Sequence, residues 1–224
     1  MKKQFSLIIF DLDGTLYAAN EVIDRAFPRA AIKLAARCEG VSEAEISPVF
    51  MEKKRNLAEM IEGSPTNTLT LLYYFDVSFE DFEREVTAGL DIEDCLSLDE
   101  RAIATLNLIA GHYPLALFTT NCESMSSRIL KHLGLASFFP PENRFTLTHI
   151  GQLDLPGKEK LTFIKPGVKG YQYLLQKFNS VAEQTLMVGD SDISDIKPAR
   201  ALGINTYKIE SRDNLYSLPA WLGL

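Results

Sequence analysis

Two aspartates stand one residue apart at the end of an apolar run, Phe5-Ser6-Leu7-Ile8-Ile9-Phe10 followed by Asp11-Leu12-Asp13-Gly14-Thr15. The run is short, β-branched and aromatic, the composition of a buried strand. Asp11 and Asp13, two apart, fall on one face of it. Two ionised carboxylates that close repel each other and need a shared proton or a bound cation. Further polar residues follow later apolar runs: Thr119, Thr120 and Asn121 after one, Asp190, Ser191, Asp192 and Asp195 after another, and Lys165 just before Pro166 and Gly167. Asp11, Asp13 and Asp190 make a hard oxygen set suited to Mg²⁺. A carboxylate of such a set can attack phosphorus and form an aspartyl phosphate. Thr119 can donate to a phosphoryl oxygen, and Lys165 can neutralise the charge on the transferred group. Asp13 can protonate a leaving oxygen and later take a proton from water. Thr120 and Asn121 are candidates for substrate contact, and Ser191 and Asp195 follow Asp190 in the same segment.

The elements that must carry these residues divide the chain in two. Between Thr15 and Ser97 no strand pattern appears. Val22, Ile23, Ala26, Phe27, Ala30, Leu34 and Cys38 recur at helical spacing, with Pro28 as a possible kink. Ser42 and Glu45 form a capping box, and Ser47-Pro48 offers a second helix start. That segment is expected to end near Gly63. A third helix covers Leu69–Phe75, and a fourth is capped by Ser78, with Asp81 at its third position, and closes at Gly89. From Ser97 strands and helices alternate: a helix from Ser97 to Gly111, a strand Tyr113–Thr120, a helix Ser124–Leu133 ended by Gly134, a strand Phe145–Thr148, and a helix from Pro166-Gly167 to Phe178. A strand Thr185–Val188, a helix Ile193–Leu202 and a strand Asn205–Ile209 complete the series. Such alternation predicts an α/β fold, a Rossmann-like parallel sheet with ligands at the carboxyl ends of its strands. The expected organisation is a core of residues 1–16 and 96–224 interrupted by an all-helical cap of residues 17–95, able to close over the site as a lid.

The 224 residues, 46% apolar and 24% charged, support a folded core. A net charge of −7 without a basic run argues against nucleic acid and anionic membrane partners. Lys2 and Lys3 precede too few apolar residues for a secretory signal, and no stretch reaches membrane-span length. Cys38, Cys95 and Cys122 are odd in number and widely spaced, which suits free thiols in a reducing cytoplasm. The three histidines are too scattered for a metal cluster. In the helical part Lys53, Lys54, Arg55 and Asn56 form a cationic stretch, of which at most one or two can face the site. Arg55 is the residue chosen for substrate contact. Trp221, Leu218 and Leu222 are expected to close the core.

Asp11-Leu-Asp-Gly-Thr, Phe118-Thr-Thr-Asn, Lys165-Pro and Val188-Gly-Asp-Ser-Asp-Ile-Ser-Asp195 resemble, in order, the four motifs of the haloacid dehalogenase superfamily, and residues 17–95 resemble its C1-type cap. The resemblance implies Mg²⁺-dependent phosphoryl transfer, with Asp11 as nucleophile and Asp13 as general acid and base. Thr119 and Lys165 would contact phosphate, and Asp11, the Asp13 carbonyl and Asp190 would ligate the metal. Asp195 would support the metal's water shell or Lys165, with Asp192 open as an alternative. Thr120 stands where the superfamily usually has Asn. Asp13 separates phosphate esters from haloacids, because a halide leaves without a proton. The stretch through Tyr17 is similar to the phosphoglycolate phosphatase-like and pyrimidine 5′-nucleotidase-like branches. A phosphatase acting on a nucleoside monophosphate, sugar phosphate or phosphoglycolate-class metabolite, as a monomer or weak homodimer, is therefore expected. A sugar-phosphate mutase of the β-phosphoglucomutase kind fits the same motifs. A receiver-like signalling domain shares the acids, Thr and Lys but is about half this length.

Overall fold

The computed structural model describes residues 3–61, 64–88 and 90–224. Five parallel strands form the sheet: β1 (Leu7–Phe10), β2 (Leu115–Phe118), β3 (Arg144–Phe145), β4 (Thr185–Gly189) and β5 (Asn205–Lys208), in the order β3-β2-β1-β4-β5. All four residues of β1 are fully buried. A central parallel strand is covered on both faces, so it reads as an unbroken apolar run and not as an alternating one. Ile8 sits opposite Leu115 on one side and Leu186 on the other, and Asp11 N–H still donates to the Val188 carbonyl at 2.9 Å. The chain order reverses about β1, which places a crevice at its carboxyl end. The fold is the expected Rossmann-like α/β architecture.

Between β1 and β2 lie helices α1 (Glu21–Glu39), α2 (Glu43–Met60), α3 (Asn67–Tyr74), α4 (Phe79–Thr87), α5 (Ile92–Cys95) and α6 (Glu100–Ala110). The first four pack on one another around Ile23, Ala31, Phe50, Leu57 and Phe82, with the Phe50 and Phe75 rings stacked at 5.7 Å. Fully burying a side chain such as Phe50 stabilises the fold by about 1.5–3 kcal/mol. The capping box of Ser42 and Glu45 and the Ser78 cap on Asp81 N–H are both present. Gly63 and Gly89, the expected helix ends, lie outside the described residues.

The remaining helices are α7 (Glu123–His132), α8 (Leu147–Gly151), α9 (Gly157–Lys160), α10 (Lys169–Lys177), α11 (Lys197–Ala201) and α12 (Arg212–Leu222). Leu218 and Leu222 of α12 are fully buried in the core. Several expected boundaries move. Ser47-Pro48 starts no helix: Pro48 lies inside α2, and the Ser47 hydroxyl donates to the Glu43 carbonyl at 2.6 Å. One missing N–H near a helix start costs less than breaking the helix. α6 begins at Glu100, because Asp99 and not Ser97 accepts the Ala102 N–H, at 3.0 Å. Strand β3 stops at Phe145, where Thr146 and His149 cap α8. The helix expected at Ile193–Leu202 is a wider π-type turn, Asp192–Ile196, running into α11.

Candidate active site

The carboxyl end of β1 delivers Asp11, and a left-handed Gly14 (φ +76°) then turns the chain away. A Cβ at Gly14 would collide with the Asp190 carboxylate, so a side chain here would displace that acid. Gly189 has the same function on β4: a Cβ there would lie 2.5 Å from the Asp195 carboxyl. Two glycines thus let the β1 and β4 acids crowd together.

The centre is a buried ion triad. Lys165, 1% exposed, donates from Nζ to Asp11 Oδ1 and to Asp195 Oδ1, each at 2.7 Å. Asp195 also accepts the Ser191 N–H on its other oxygen at 3.1 Å, and Thr15 donates to Asp11 Oδ2 at 3.3 Å. Beneath it, the buried Tyr171 hydroxyl donates to the Ser194 carbonyl at 2.8 Å and steadies the β4 loop. Asp192, the alternative to Asp195, is exposed and pairs with Lys208 at 2.7 Å. A side chain spent on that pair does not reach Lys165.

Carboxylate oxygens of Asp11, Asp190 and Asp195 lie within 4.8 Å of one another. Burial pushes the Asp11 carboxyl well above the ordinary carboxylate range; Lys165 draws it back in part, while Asp195 and Asp13 push it further. Burial, then the Asp195 charge, pushes Asp190 up to about 6. Lys165 loses by burial but gains more from Asp11 and Asp195, which hold it charged. One lysine does not balance three acids. A hard divalent cation among these oxygens would favour their ionised forms, so the donor set and its unbalanced charge fit such an ion.

Asp13 stands apart from that triad. Its Oδ1 accepts the Tyr17 hydroxyl and Asn121 Nδ2 (3.3 Å), and its Oδ2 accepts the Thr119 hydroxyl at 3.4 Å. Burial raises its pKa against these three donors, a bias toward the protonated form that a general acid requires. Thr119 is buried and also accepts the Asn121 N–H at 3.0 Å; Thr120 is half-buried beside it. Tyr17 is the contact that motif reading missed. Its one sequence signal is its place four residues after Asp13, at the end of the same loop.

A cavity of about 340 Å³ opens from Asp13, Thr120 and Asn121 toward the helices, lined by Asp24, Phe27 and Pro28 of α1, Lys54 of α2, and Thr66, Asn67 and Thr68 at the start of α3. Arg55, the cationic residue chosen from sequence, is exposed and does not line this cavity; Lys54, its neighbour, does. One position along a helix turns a side chain by about 100°, which is enough to move it to another face. Glu83 of α4 crosses to the sheet side. It accepts the Ser124 N–H at 3.2 Å and the Ser124 and Thr148 hydroxyls, the latter at 2.8 Å. Cys122, near the rim, is buried, and burial pushes its thiol up to about 11, which suits a bystander and not a nucleophile.

A family model described as haloacid dehalogenase-like hydrolase matches residues 5–203. The chain is 25% identical over 226 residues to a glyceraldehyde 3-phosphate phosphatase of Methanocaldococcus jannaschii, covering 90% of this chain and 83% of that protein. It is 29% identical over 218 residues to a phosphoglycolate phosphatase of Vibrio cholerae serotype O1, covering 92% and 84%. The crystal structure of a HAD phosphatase from Thermococcus onnurineus superposes with a TM-score of 0.59 at 22% identity, covering 100% of this chain and 98% of that one.

Proposed function

The chain belongs to the haloacid dehalogenase-like hydrolase family and is a phosphatase of it, and we propose that it hydrolyses a small phosphate monoester by passing the phosphoryl group through Asp11. The observation that carries this reading is the buried Asp11–Lys165–Asp195 triad, whose Asp11 stands two residues along the chain from Asp13, which lines the cavity toward the helices. Asp11 is the nucleophile: its carboxylate oxygen attacks phosphorus, and the phosphorus–oxygen bond to the leaving alcohol breaks. Lys165, fixed between two carboxylates, offers its charge to the equatorial phosphoryl oxygens without having to reorganise. Asp13 gives its proton to the leaving oxygen. In the second half it takes one from the water that attacks the aspartyl phosphate. Thr119 and Asn121, through their contacts with Asp13, hold that carboxyl in place, and Tyr17 supports it from the loop end.

Asp11, the Asp13 carbonyl and Asp190 are the residues proposed to hold Mg²⁺, with Asp195 and Ser191 behind them. When bound, that ion supplies positive charge to the acids and to the phosphoryl oxygens. The helical segment 17–95 is proposed as a cap domain that limits water and selects the alcohol portion, with Glu83 on Ser124 and Thr148 holding it to the core.

The test is release of inorganic phosphate from p-nitrophenyl phosphate with Mg²⁺, in wild type and Asp11→Asn. Loss of at least about 1,000-fold in the variant is expected, as for removal of a covalent nucleophile. Equal rates would overturn the role of Asp11. Interconversion of sugar-phosphate isomers without phosphate release would replace hydrolysis by a mutase reaction.

A further inference from the structure

Lys54 is the one cation among the described residues that lines the cavity, and it is an unusual one among its neighbours. Lys33 on α1 pairs with Glu85, and Lys53 on α2 sits over the Tyr74 ring at 4.8 Å. Lys54, half-buried, makes no ion pair among the described residues; its Nζ donates to Asn67 Oδ1 at 2.6 Å. Burial lowers its pKa, so the charged form already lacks part of its hydration. A partly desolvated ammonium held, among the described residues, by a neutral amide is costly for a fold to keep. It is repaid when an anion enters the cavity. Asn67, with its Oδ1 on the ammonium, keeps amide N–H donors to offer the same anion.

The position determines which part of a ligand it meets. The phosphoryl group belongs at Asp11 and Lys165, and Asp13 stands at the oxygen that leaves with the alcohol. The cavity starts at Asp13 and ends on the helices, so the alcohol portion projects along it toward Lys54. Its volume is at the small end of ligand sites, which suits a short chain. Phe27 and Pro28 offer that chain an apolar wall. The charge balance selects the kind of anion. Two acids, Asp13 and Asp24, share the cavity with one ammonium. A second dianionic phosphate would leave the cavity strongly negative. A monoanionic carboxylate is matched by one lysine, and Asp24, exposed to water at the lip, is screened.

We propose that Lys54, with Asn67, is the specificity-determining pole of the site, and that the substrate is a short phosphorylated hydroxy acid: a phosphate monoester whose alcohol portion carries a carboxylate. This rests on the phosphatase reading above. The experiment compares ω-phosphooxy carboxylates of two to four carbons with the phosphooxy alcohols of equal length, each as kcat/KM, alongside p-nitrophenyl phosphate. Wild type is expected to prefer the carboxylates. Lys54→Met should lower the carboxylate-to-alcohol ratio by about 10- to 100-fold, the value of a hydrogen bond to a charged partner, and Lys54→Arg should retain it. A ratio taken within one variant does not depend on how much of the sample is folded. A wild-type ratio of one or less overturns the proposal without recourse to any variant, as does a Lys54→Met ratio equal to wild type. If wild type cleaves p-nitrophenyl phosphate but shows no carboxylate preference, the inference on Lys54 fails and the phosphatase reading stands. If it cleaves none of the esters, the phosphatase reading fails and this inference with it.

Discussion

Two lysines of the proposed site stand under opposite conditions. Lys165 is buried between two carboxylates at 2.7 Å each. Lys54 is half-buried, holds one neutral amide and makes no ion pair among the described residues. On the proposed function, the first is held at the point where every substrate of this chemistry brings the same group, and the second where substrates differ. Reactivity benefits from a preorganised charge, because the transition state does not have to pay for moving it. Selectivity benefits from a charge left unsatisfied, because its ligand supplies the missing partner.

The largest expected effect breaks the first half of that contrast. Lys165→Met leaves Asp11 and Asp195 buried without a counter-charge, which should destabilise the fold by about 3–5 kcal/mol in urea unfolding, as for a broken buried pair. The loss should be partly recovered in the double variant Lys165→Met/Asp195→Leu, since the uncompensated acid is then gone. A Lys165→Met protein as stable as wild type would mean that the triad is not under charge strain.

Asp13→Asn removes the proposed proton donor while keeping the shape. Turnover of alkyl phosphates should fall by about 100- to 10,000-fold, and that of p-nitrophenyl phosphate by less, because nitrophenolate leaves without help. Equal losses on both would assign Asp13 a structural role only.

The metal reading predicts a pH dependence of stability. Asp190, raised to about 6, binds its proton in the native state at pH values where the unfolded chain has lost it. With chelator present, stability should therefore fall as the pH rises from the ordinary carboxylate range to about 6. Saturating Mg²⁺ should abolish that fall and add about 2.7 kcal/mol at one hundred times its dissociation constant. Asp190→Asn should remove the Mg²⁺ response, as read by thermal melting with and without the ion.

The smallest effect sharpens the second half of the contrast. Arg55→Ala should change kcat/KM by less than about 2-fold and stability by less than about 0.5 kcal/mol, as for an exposed side chain clear of the site. An effect as large as that of Lys54→Met would place Arg55 in the cavity during turnover.

Much of the make-up of the candidate site was legible before any coordinates. Asp11, Asp13, Lys165 and Asp190 each follow or precede a recognisable strand or turn, and a parallel sheet brings all its carboxyl ends to one edge. Thr119 and Asp195 were legible as members of that set, but not their contacts. Thr119 turned out to touch Asp13, and Asp195 and not Asp192 turned out to meet Lys165, a choice made by a π-type turn that periodicity does not announce. Helix boundaries drifted where two capping residues competed, as Ser97 and Asp99 did before α6.

The sequence by itself determined which acids gather at the sheet edge, because strand alternation and glycine-assisted turns are local and place acids on one rim whatever surrounds them. Only the tertiary structure decided which neighbouring side chains complete it. Tyr17 reaches Asp13, Glu83 spans from α4 to α7 and α8, and Lys54 and not Arg55 lines the cavity because helices pack by faces. The rotation of a helix about its axis is set by everything it packs against, and no short stretch of sequence encodes that.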